Sequence, residues 1–345
     1  MKIEIISGGE YGIEQASLAA AWSRECPLKG FVRKGFITSQ GPCEKLKFLG
    51  VKEIESDRLR DCAQRCIDEC NGVLLLRSGE LGVIEENIKG LIGEFNGHVD
   101  YVVNFAAESH VDNSILNPSV FVETNVLGTM NLLNLAKRMG CRYMQISTDE
   151  VYGSLGKEGF FTELSPIDPH SPYSASKASA DHLVKAWHDT YGLDTIITRC
   201  SNNYGPSQLK DKLIPLVITN LLQDIPIPLY GTGTNVRDWI HVNDHCEAII
   251  TVLMNAKSGS VYNVGSRNER TNFEIITKLI KIIEPKTYSI KRVADRLGHD
   301  FRYAIDPTKI ETELGWKPQV NFDNGLRETV KWYIDNETWW KRKIK

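Results

Sequence analysis

The sequence predicts an α/β protein in which a doubly wound parallel sheet is followed by a smaller C-terminal α/β domain. Three observations carry this prediction. Over the first two hundred residues, short apolar runs rich in β-branched residues alternate with longer stretches of helical spacing. After about residue 205 the texture changes, with Gly205-Pro206, Pro215, Pro226, Pro228, Gly231 and Gly233 in quick succession. Hydrophobic residues make up 41% and charged residues 25% of 345 residues, as expected of a globular chain with a large core.

Taken in order, Ile3–Ile6, Gly72–Leu76, Tyr101–Phe105, Tyr143–Ser147 and Thr195–Arg199 are short, apolar and bounded by turn or charged residues, which predicts buried strands. Between them Glu14–Arg24, Arg58–Glu69, Ile84–Phe95, Val120–Arg138 and Ser174–Tyr191 carry helical spacing. Beyond residue 205, Leu213–Gln223, Asp244–Met254 and Asn272–Ile283 repeat it among loops suited to closing over a substrate. In a sheet of this kind ligands lie beyond the carboxyl ends of the strands, so the chemistry is expected just after each strand.

The net charge of −3 offers no basic face for a nucleic acid or a membrane surface. The start, MKIEIISGGEYG, lacks the zones of a signal peptide, and no apolar run is long enough to span a bilayer. A cytoplasmic protein with its 8 cysteines reduced is expected. Cys62, Cys66 and Cys70 share one helical face. No His or Cys pair completes a ligand set with them, so they are expected to be buried thiols and no metal is expected.

The most informative stretch runs from Gln145 to Lys177. One predicted strand ends in Ser147-Thr148-Asp149-Glu150, which places two adjacent carboxylates at the ligand edge of the sheet. Alone, such a pair is more often a solvated acidic turn. It is joined here by Tyr173-Ser-Ala-Ser-Lys177, in which Tyr and Lys share a helical face. A lysine one turn away can draw a phenol's pKa down and make it a usable base toward a hydroxyl.

From about Asp100 onward these motifs resemble the dTDP-glucose 4,6-dehydratases, extended members of the short-chain dehydrogenase/reductase family. The resemblance rests on VVNFAAESHVDNSI (102–115), TNVLGT (124–129), ISTDEVYGS (146–154), SPYSASKASADHLV (171–184), RCSNNYGPSQ (199–208), KLIP (212–215), PLYGTGTNVRDWIHVNDH (228–245), YNVGSRNERTN (262–272) and DRLGHDFRYAID (295–306). It implies a Rossmann-type sheet, a nucleoside-diphosphate sugar substrate, a bound NAD and a homodimer built on Val120–Arg138 and Ser174–Tyr191. The apolar residues Phe121, Leu127, Leu133, Ala175, Leu183 and Trp187 on those stretches are expected at the subunit contact.

The resemblance also assigns roles. Tyr173 would take the proton of the sugar 4-hydroxyl, Thr148 would bond the 4-oxygen, and Lys177 would hold the cofactor ribose. Glu150 would remove the carbon 5 proton, and a protonated Asp149 would deliver a proton to the departing 6-hydroxyl. Mutual repulsion is expected to separate the two carboxyl pKa values. Ser109, Asn202, Lys212, Leu213, Arg237, Asn272, Arg296 and His299 would line the nucleotide-sugar site, with Pro228 and Tyr230 around the base. Arg237 and Arg296 carry planar donor forks that suit a diphosphate, although a single arginine is more commonly a surface residue. Ala106, Ala107, Thr124 and Asn203 would join Tyr173 and Lys177 on the cofactor.

The amino terminus departs from this pattern. The family opens with a strand and GGxGFIGS, whereas this chain has Ser7-Gly8-Gly9-Glu10-Tyr11-Gly12-Ile13-Glu14-Gln15. Gly8, Gly9 and Gly12 still offer a turn whose backbone N–H groups can meet a pyrophosphate. Gln15, however, replaces the glycine that permits close helix packing, and Glu10 adds an unfavourable charge. With IISGGEYGIEQASLAAA, GFVRKGFITSQGP and GVLLLRSGEL, residues 1–90 instead resemble Rossmann-like molybdenum cofactor carriers, although those show Thr-Gly-x-Asp-Arg where this chain has Tyr-Gly-Ile-Glu-Gln. The organisation expected is thus an atypical nucleotide-binding unit (1–90), the rest of the Rossmann domain with the catalytic residues (91–205), and a mainly substrate-binding domain (206–345). Arg33 and Lys34 leave NADP open beside NAD. A non-catalytic sugar-nucleotide-binding protein and a related epimerase stand as alternatives to a dehydratase. Asp149-Glu150 speaks against the epimerase.

Overall fold

The computed structural model describes residues 100–341 throughout and, before them, the backbone of strands β1 (Ile5–Ile6), β2 (Phe31–Arg33), β3 (Ile37–Thr38), β4 (Gly41–Pro42), β5 (Lys52–Ile54) and β6 (Gly72–Leu76) and the start of β7 (Val99–Asn104). The expected helices Glu14–Arg24, Arg58–Glu69 and Ile84–Phe95, the turn with Gly8, Gly9 and Gly12, and Cys62, Cys66 and Cys70 lie outside the described residues.

A six-stranded sheet runs in the order β1-β6-β7-β8-β9-β13, where β8 is Arg142–Thr148, β9 is Thr195–Cys200 and β13 is Ser260–Val264. All its pairings are parallel. Successive residues of a strand face opposite sides, and the two cores show it. Val102, Tyr143 and Ile197 pack with Leu132, Leu133, Ala136 and Val184 on one face. Their neighbours Val103, Met144 and Ile196 pack on the other with Ile249, Val252 and Ile310. The doubly wound α/β sheet expected from the alternating pattern is therefore present.

Helix α1 (Val111–Leu116) follows β7. The stretch predicted as one helix over 120–138 is instead α2 (Pro118–Phe121), a π-helical turn over Val122–Leu127, and α3 (Gly128–Met139). Helix α4 (Pro172–Tyr191) begins with a reciprocal capping box between Ser171 and Ser174. That cap fixes where Tyr173 and Lys177 stand on the helix.

Beyond residue 205 a three-stranded sheet, β10-β12-β14 (Asn202–Tyr204, Val236–His241, Glu269–Thr271), and a two-stranded sheet, β11-β15 (Ile227–Tyr230, Ile290–Val293), pack with α5 (Leu213–Leu222), α7 (Asn272–Ile283) and α9 (Phe322–Asp335). Helix α6 (Val242–Asn255) and α8 (Thr308–Leu314) pack instead on the six-stranded sheet, which β13 extends. Helix α10 (Glu337–Lys341) ends the described chain.

The apolar residues expected at a subunit contact divide. Phe121 and Leu133 are buried within the chain itself, Phe121 edge-on to the Tyr173 ring, and so are unavailable to a partner. Leu183 and Trp187 are half-covered by the chain's own core, while Ala175, Leu127, Val122 and Leu116 are exposed. No helix among the described residues is long and apolar enough to cross a membrane, and no group of metal-ligating side chains occurs among them.

Candidate active site

Strand β8 delivers the chemistry. It is a central strand, and at Thr148 the backbone is still extended before a single 3-10 turn over Asp149–Tyr152. The Thr148 hydroxyl oxygen caps that turn by accepting from the Glu150 N–H at 3.3 Å, and the same hydroxyl donates to Asp149 Oδ1 at 3.3 Å. Both carboxyls thereby line a cavity of about 650 Å³. Helix α4 supplies the opposite group: Tyr173 faces the same cavity, and its phenol is hydrogen-bonded to Thr148. One turn on, Lys177 is 3% exposed and its ammonium donates to the Ile146 carbonyl at 2.7 Å.

The electrostatics order these groups. Burial pushes the Asp149 carboxyl well above the usual carboxylate range, and the neighbouring Glu150 adds to the rise. Glu150 is also raised by burial, but Arg237, Lys212 and Arg296 pull it back. Both carboxyls are thus raised, Asp149 the more, and the first cause is burial rather than the mutual repulsion expected. The expectation for Tyr173 needs a larger correction. Burial raises its phenol well above the ordinary value, and Glu150 and Cys200 raise it further, while the Thr148 bond opposes them. Lys177 is not among the groups with the largest effect on it.

Every residue expected at the nucleotide-sugar site lines this one cavity: Ser109, Thr148, Asn202, Lys212, Leu213, Pro228, Tyr230, Arg237, Asn272, Arg296 and His299. They come from eight separate segments, so their convergence is a property of the fold. Arg237 is no surface arginine. It donates to the carbonyls of Val236 at 2.7 Å and Asp300 at 3.0 Å, and its guanidinium lies 4.1 Å from the Tyr303 ring centroid. Lys212 Nζ donates to the Ser109 carbonyl at 3.0 Å. Arg296 behaves differently from the expectation: its fork is bidentate on Asp112, at 2.6 and 3.0 Å. Asp112, 184 residues away, was invisible to sequence reasoning, although it sits in the quoted VDNSI motif. His299 is likewise paired, with Asp295 at 2.6 Å.

Asp300 and Tyr303 were also missed. Asp300 is buried, meets His170 Nδ1 at 2.5 Å and accepts from the Tyr303 hydroxyl at 2.5 Å, which ties the loop carrying Arg296 and His299 to the segment before α4. Chain proximity gives one hint, since all three stand in or beside quoted motifs.

Of the residues expected on a cofactor, Tyr173, Lys177, Asn203 and Ala107 line the cavity. Thr124 does not; it is buried in the π-helical turn, and its hydroxyl has no partner among the described residues. Ala106 follows β7 directly, its N–H donating to Asn104 Oδ1 at 3.0 Å. The fit to a polar cofactor is good at this end. Lys177 carries three donors and spends one on Ile146, so buried donors remain for ligand oxygens.

Several known proteins similar to this chain are 4,6-dehydratases. The sequence model of a family described as GDP-mannose 4,6 dehydratase matches residues 57–329, and so begins inside the stretch that resembles the carriers. A dTDP-glucose 4,6-dehydratase of Xanthomonas campestris is 50% identical over 259 residues, covering 70% of this chain and 74% of that protein. One of Streptomyces niveus is 51% identical over 247 residues, covering 71% and 73%. The crystal structure of DesIV, a dTDP-glucose 4,6-dehydratase of Streptomyces venezuelae with NAD and TYD bound, superposes with a TM-score of 0.79 at 41% identity and covers 99% of both chains. A Bacillus anthracis dTDP-glucose 4,6-dehydratase in complex with NAD gives 0.76 at 39% identity, again over 99% of each.

Proposed function

The chain belongs to the dTDP-glucose 4,6-dehydratase family, and from that premise we propose that it dehydrates dTDP-glucose to the 4-keto-6-deoxy sugar with NAD as cofactor. The observation that carries the proposal is the carboxyl pair just after β8, Asp149 buried and Glu150 half-buried, lining the same cavity as Tyr173.

Each protein group has a task that its surroundings permit. Asp149, whose proton affinity burial raises, is the group suited to give the proton that the departing 6-hydroxyl needs. Glu150, drawn toward the carboxylate by three cations, is the base for the proton on carbon 5. Thr148 donates to Asp149 and also lowers the proton affinity of the Tyr173 phenol, so one hydroxyl acts on both the acid and the base. Tyr173 takes the 4-hydroxyl proton, and Arg237 and Lys212 bring positive charge to the diphosphate end. NAD, when bound, accepts a hydride from carbon 4 and returns it to carbon 6, so the reaction is a lyase reaction overall. Lys177, Tyr173, Asn203 and Thr124 would hold its nicotinamide riboside, and Gly8, Gly9 and Gly12 its pyrophosphate. The burial of Tyr173 fits a proton acceptor that becomes effective only once a positive nicotinamide ring is near.

Within this reading the protein is a cytoplasmic homodimer, with Leu116, Val122, Leu127 and Ala175 supplying exposed apolar surface to the contact. Purified protein should convert dTDP-glucose to a product with the alkaline absorbance of a 4-keto-6-deoxy sugar, without net NADH. Turnover should rise on adding NAD if the cofactor is lost during purification. Failure to form the keto sugar with NAD in excess would overturn the assignment. A monomeric mass by light scattering at micromolar concentration would remove the dimer alone.

A further inference from the structure

Arg237 is held by carbonyl oxygens and by a ring. Its guanidinium donates to the carbonyls of Val236 at 2.7 Å, Asp300 at 3.0 Å and Phe301 at 3.4 Å, and it stands over the Tyr303 ring, 4.1 Å from the centroid. Two of these carbonyls and the ring belong to one short segment, 300–303. The placement of that segment therefore decides where the guanidinium points.

Main-chain bonds fix part of the segment. The Val236 N–H donates to the Phe301 carbonyl at 2.8 Å, and the Tyr303 N–H to the Val236 carbonyl at 3.1 Å. The buried Asp300 side chain fixes the rest. Its Oδ2 accepts from the Tyr303 hydroxyl at 2.5 Å, which sets the tilt of the ring against Arg237. Its Oδ1 meets His170 Nδ1 at 2.5 Å, which ties the segment to the residue before the α4 cap. A carboxylate can only accept, so both neighbours donate to it. The loop leading into Asp300 is pressed onto the same residue: Gly298 has φ +62°, and a Cβ there would stand 2.8 Å from the His170 carbonyl oxygen. One carboxyl group thus governs both a carbonyl and a ring that orient Arg237. Its outer anchor, His170, does not line the cavity, and the other ring nitrogen of His170 meets the exposed Asp168 at 3.3 Å.

We propose that Asp300 and His170 are positioning residues: anchored by His170, the Asp300 carboxylate holds the Arg237 guanidinium in the orientation that meets the substrate diphosphate. This rests on the reading of Arg237 as a diphosphate ligand and deepens it. Part of the affinity for the nucleotide then originates outside the cavity, at a partly exposed histidine.

Calorimetric titration of the full chain with dTDP tests this without reference to turnover. His170→Ala removes the anchor, while His170→Asn keeps a donor near the Nδ1 position. Both lose the Asp168 contact, so the difference between them isolates the bond to Asp300. His170→Ala should bind dTDP about tenfold more weakly than the wild type, the low end for a hydrogen bond to a charged group because the effect passes through Arg237. His170→Asn should recover affinity to within about threefold of the wild type. In an Arg237→Gln background, His170→Ala should change dTDP affinity by less than about twofold, since the group it positions is gone. A merely structural role would instead lower the melting temperature in both backgrounds without this coupling. Unchanged affinity in His170→Ala, no recovery in His170→Asn, or an equal loss with and without Arg237 would overturn the inference and leave the dehydratase assignment standing. If the wild type bound no dTDP, that assignment would fall and take the inference with it.

Discussion

Replacing Asp149 with asparagine separates the two roles that a buried carboxyl can play. The side chain is 2% exposed, its Oδ1 takes a hydrogen bond from Thr148 at 3.3 Å, and its Oδ2 has no partner among the described residues. A neutral acid in that setting is matched by an amide in shape and hydrogen bonding, so the substitution removes an exchangeable proton and little else. The folded-state pKa is raised above the ordinary 3.8. Over the window between those values the folded protein holds a proton that the unfolded chain has released. Stability of the wild type must then fall with rising pH, by about 1.4 kcal/mol per pH unit, until the folded pKa is passed. The asparagine variant lacks this slope. Below the ordinary carboxyl value both proteins should melt together. Above it the variant should gain on the wild type by about 2 °C per pH unit, the low end of the usual conversion because the chain is long. Activity should move oppositely, falling about 10²–10⁴-fold as expected for loss of a general acid. Thermal unfolding of both proteins from about pH 4 to about pH 8, alongside turnover of dTDP-glucose, reads both effects. A variant destabilised by several kcal/mol at neutral pH would show that Asp149 is an ionised, paired carboxylate, and undiminished turnover would remove it from the reaction.

Three further outcomes follow from the same geometry. Glu150→Gln should lose about 10²–10⁴-fold in turnover, and Arg237→Gln, by removing the foremost group holding Glu150 down, should move the acid limb of kcat/KM to higher pH; an unmoved limb would assign that titration to another group. Tyr173→Phe should abolish the transient absorbance of reduced cofactor while sugar-nucleotide affinity changes little, and a retained transient would place the first proton transfer elsewhere. Gly153→Ala should cost about 2–4 kcal/mol, because Gly153 has φ +82° and a Cβ there would stand 2.3 Å from the Asp168 carbonyl oxygen; an unchanged denaturation midpoint would contradict the turn that carries both carboxyls.

What the sequence revealed and what it hid divide along a physical line. Period and propensity are local, so Gly72–Leu76 and Asn272–Ile283 emerge with the bounds expected of them, and the YxxxK pair lands on one face of α4. Quoted motifs locate site residues because backbone geometry after each strand sends them into one cavity. Pairings between remote segments are a different matter. Asp112 with Arg296, His245 with Asn203, and Asp300 with His170 join side chains whose neighbourhood only the packed chain creates. Titration is harder still to anticipate, because burial dominates it: the phenol of Tyr173 is raised by desolvation more than by any neighbouring charge. The same blindness to burial explains why Phe121 and Leu133 read as interface residues when the chain's own core already covers them. The helical stretch over 120–138 hid its π-helical turn, since the side-chain pattern shifts by one residue only across Val122–Leu127.

The fate of a deuterium placed on carbon 4 of dTDP-glucose bears most directly on whether this cavity performs an internal oxidation, elimination and reduction. If Tyr173, Glu150 and Asp149 act as assigned, the deuterium should be recovered on carbon 6 of the 4-keto-6-deoxy product, with a solvent hydrogen on carbon 5 and no net change in NAD. Deuterium retained at carbon 4, in unchanged sugar or in a 4-epimer, would contradict the dehydratase mechanism outright.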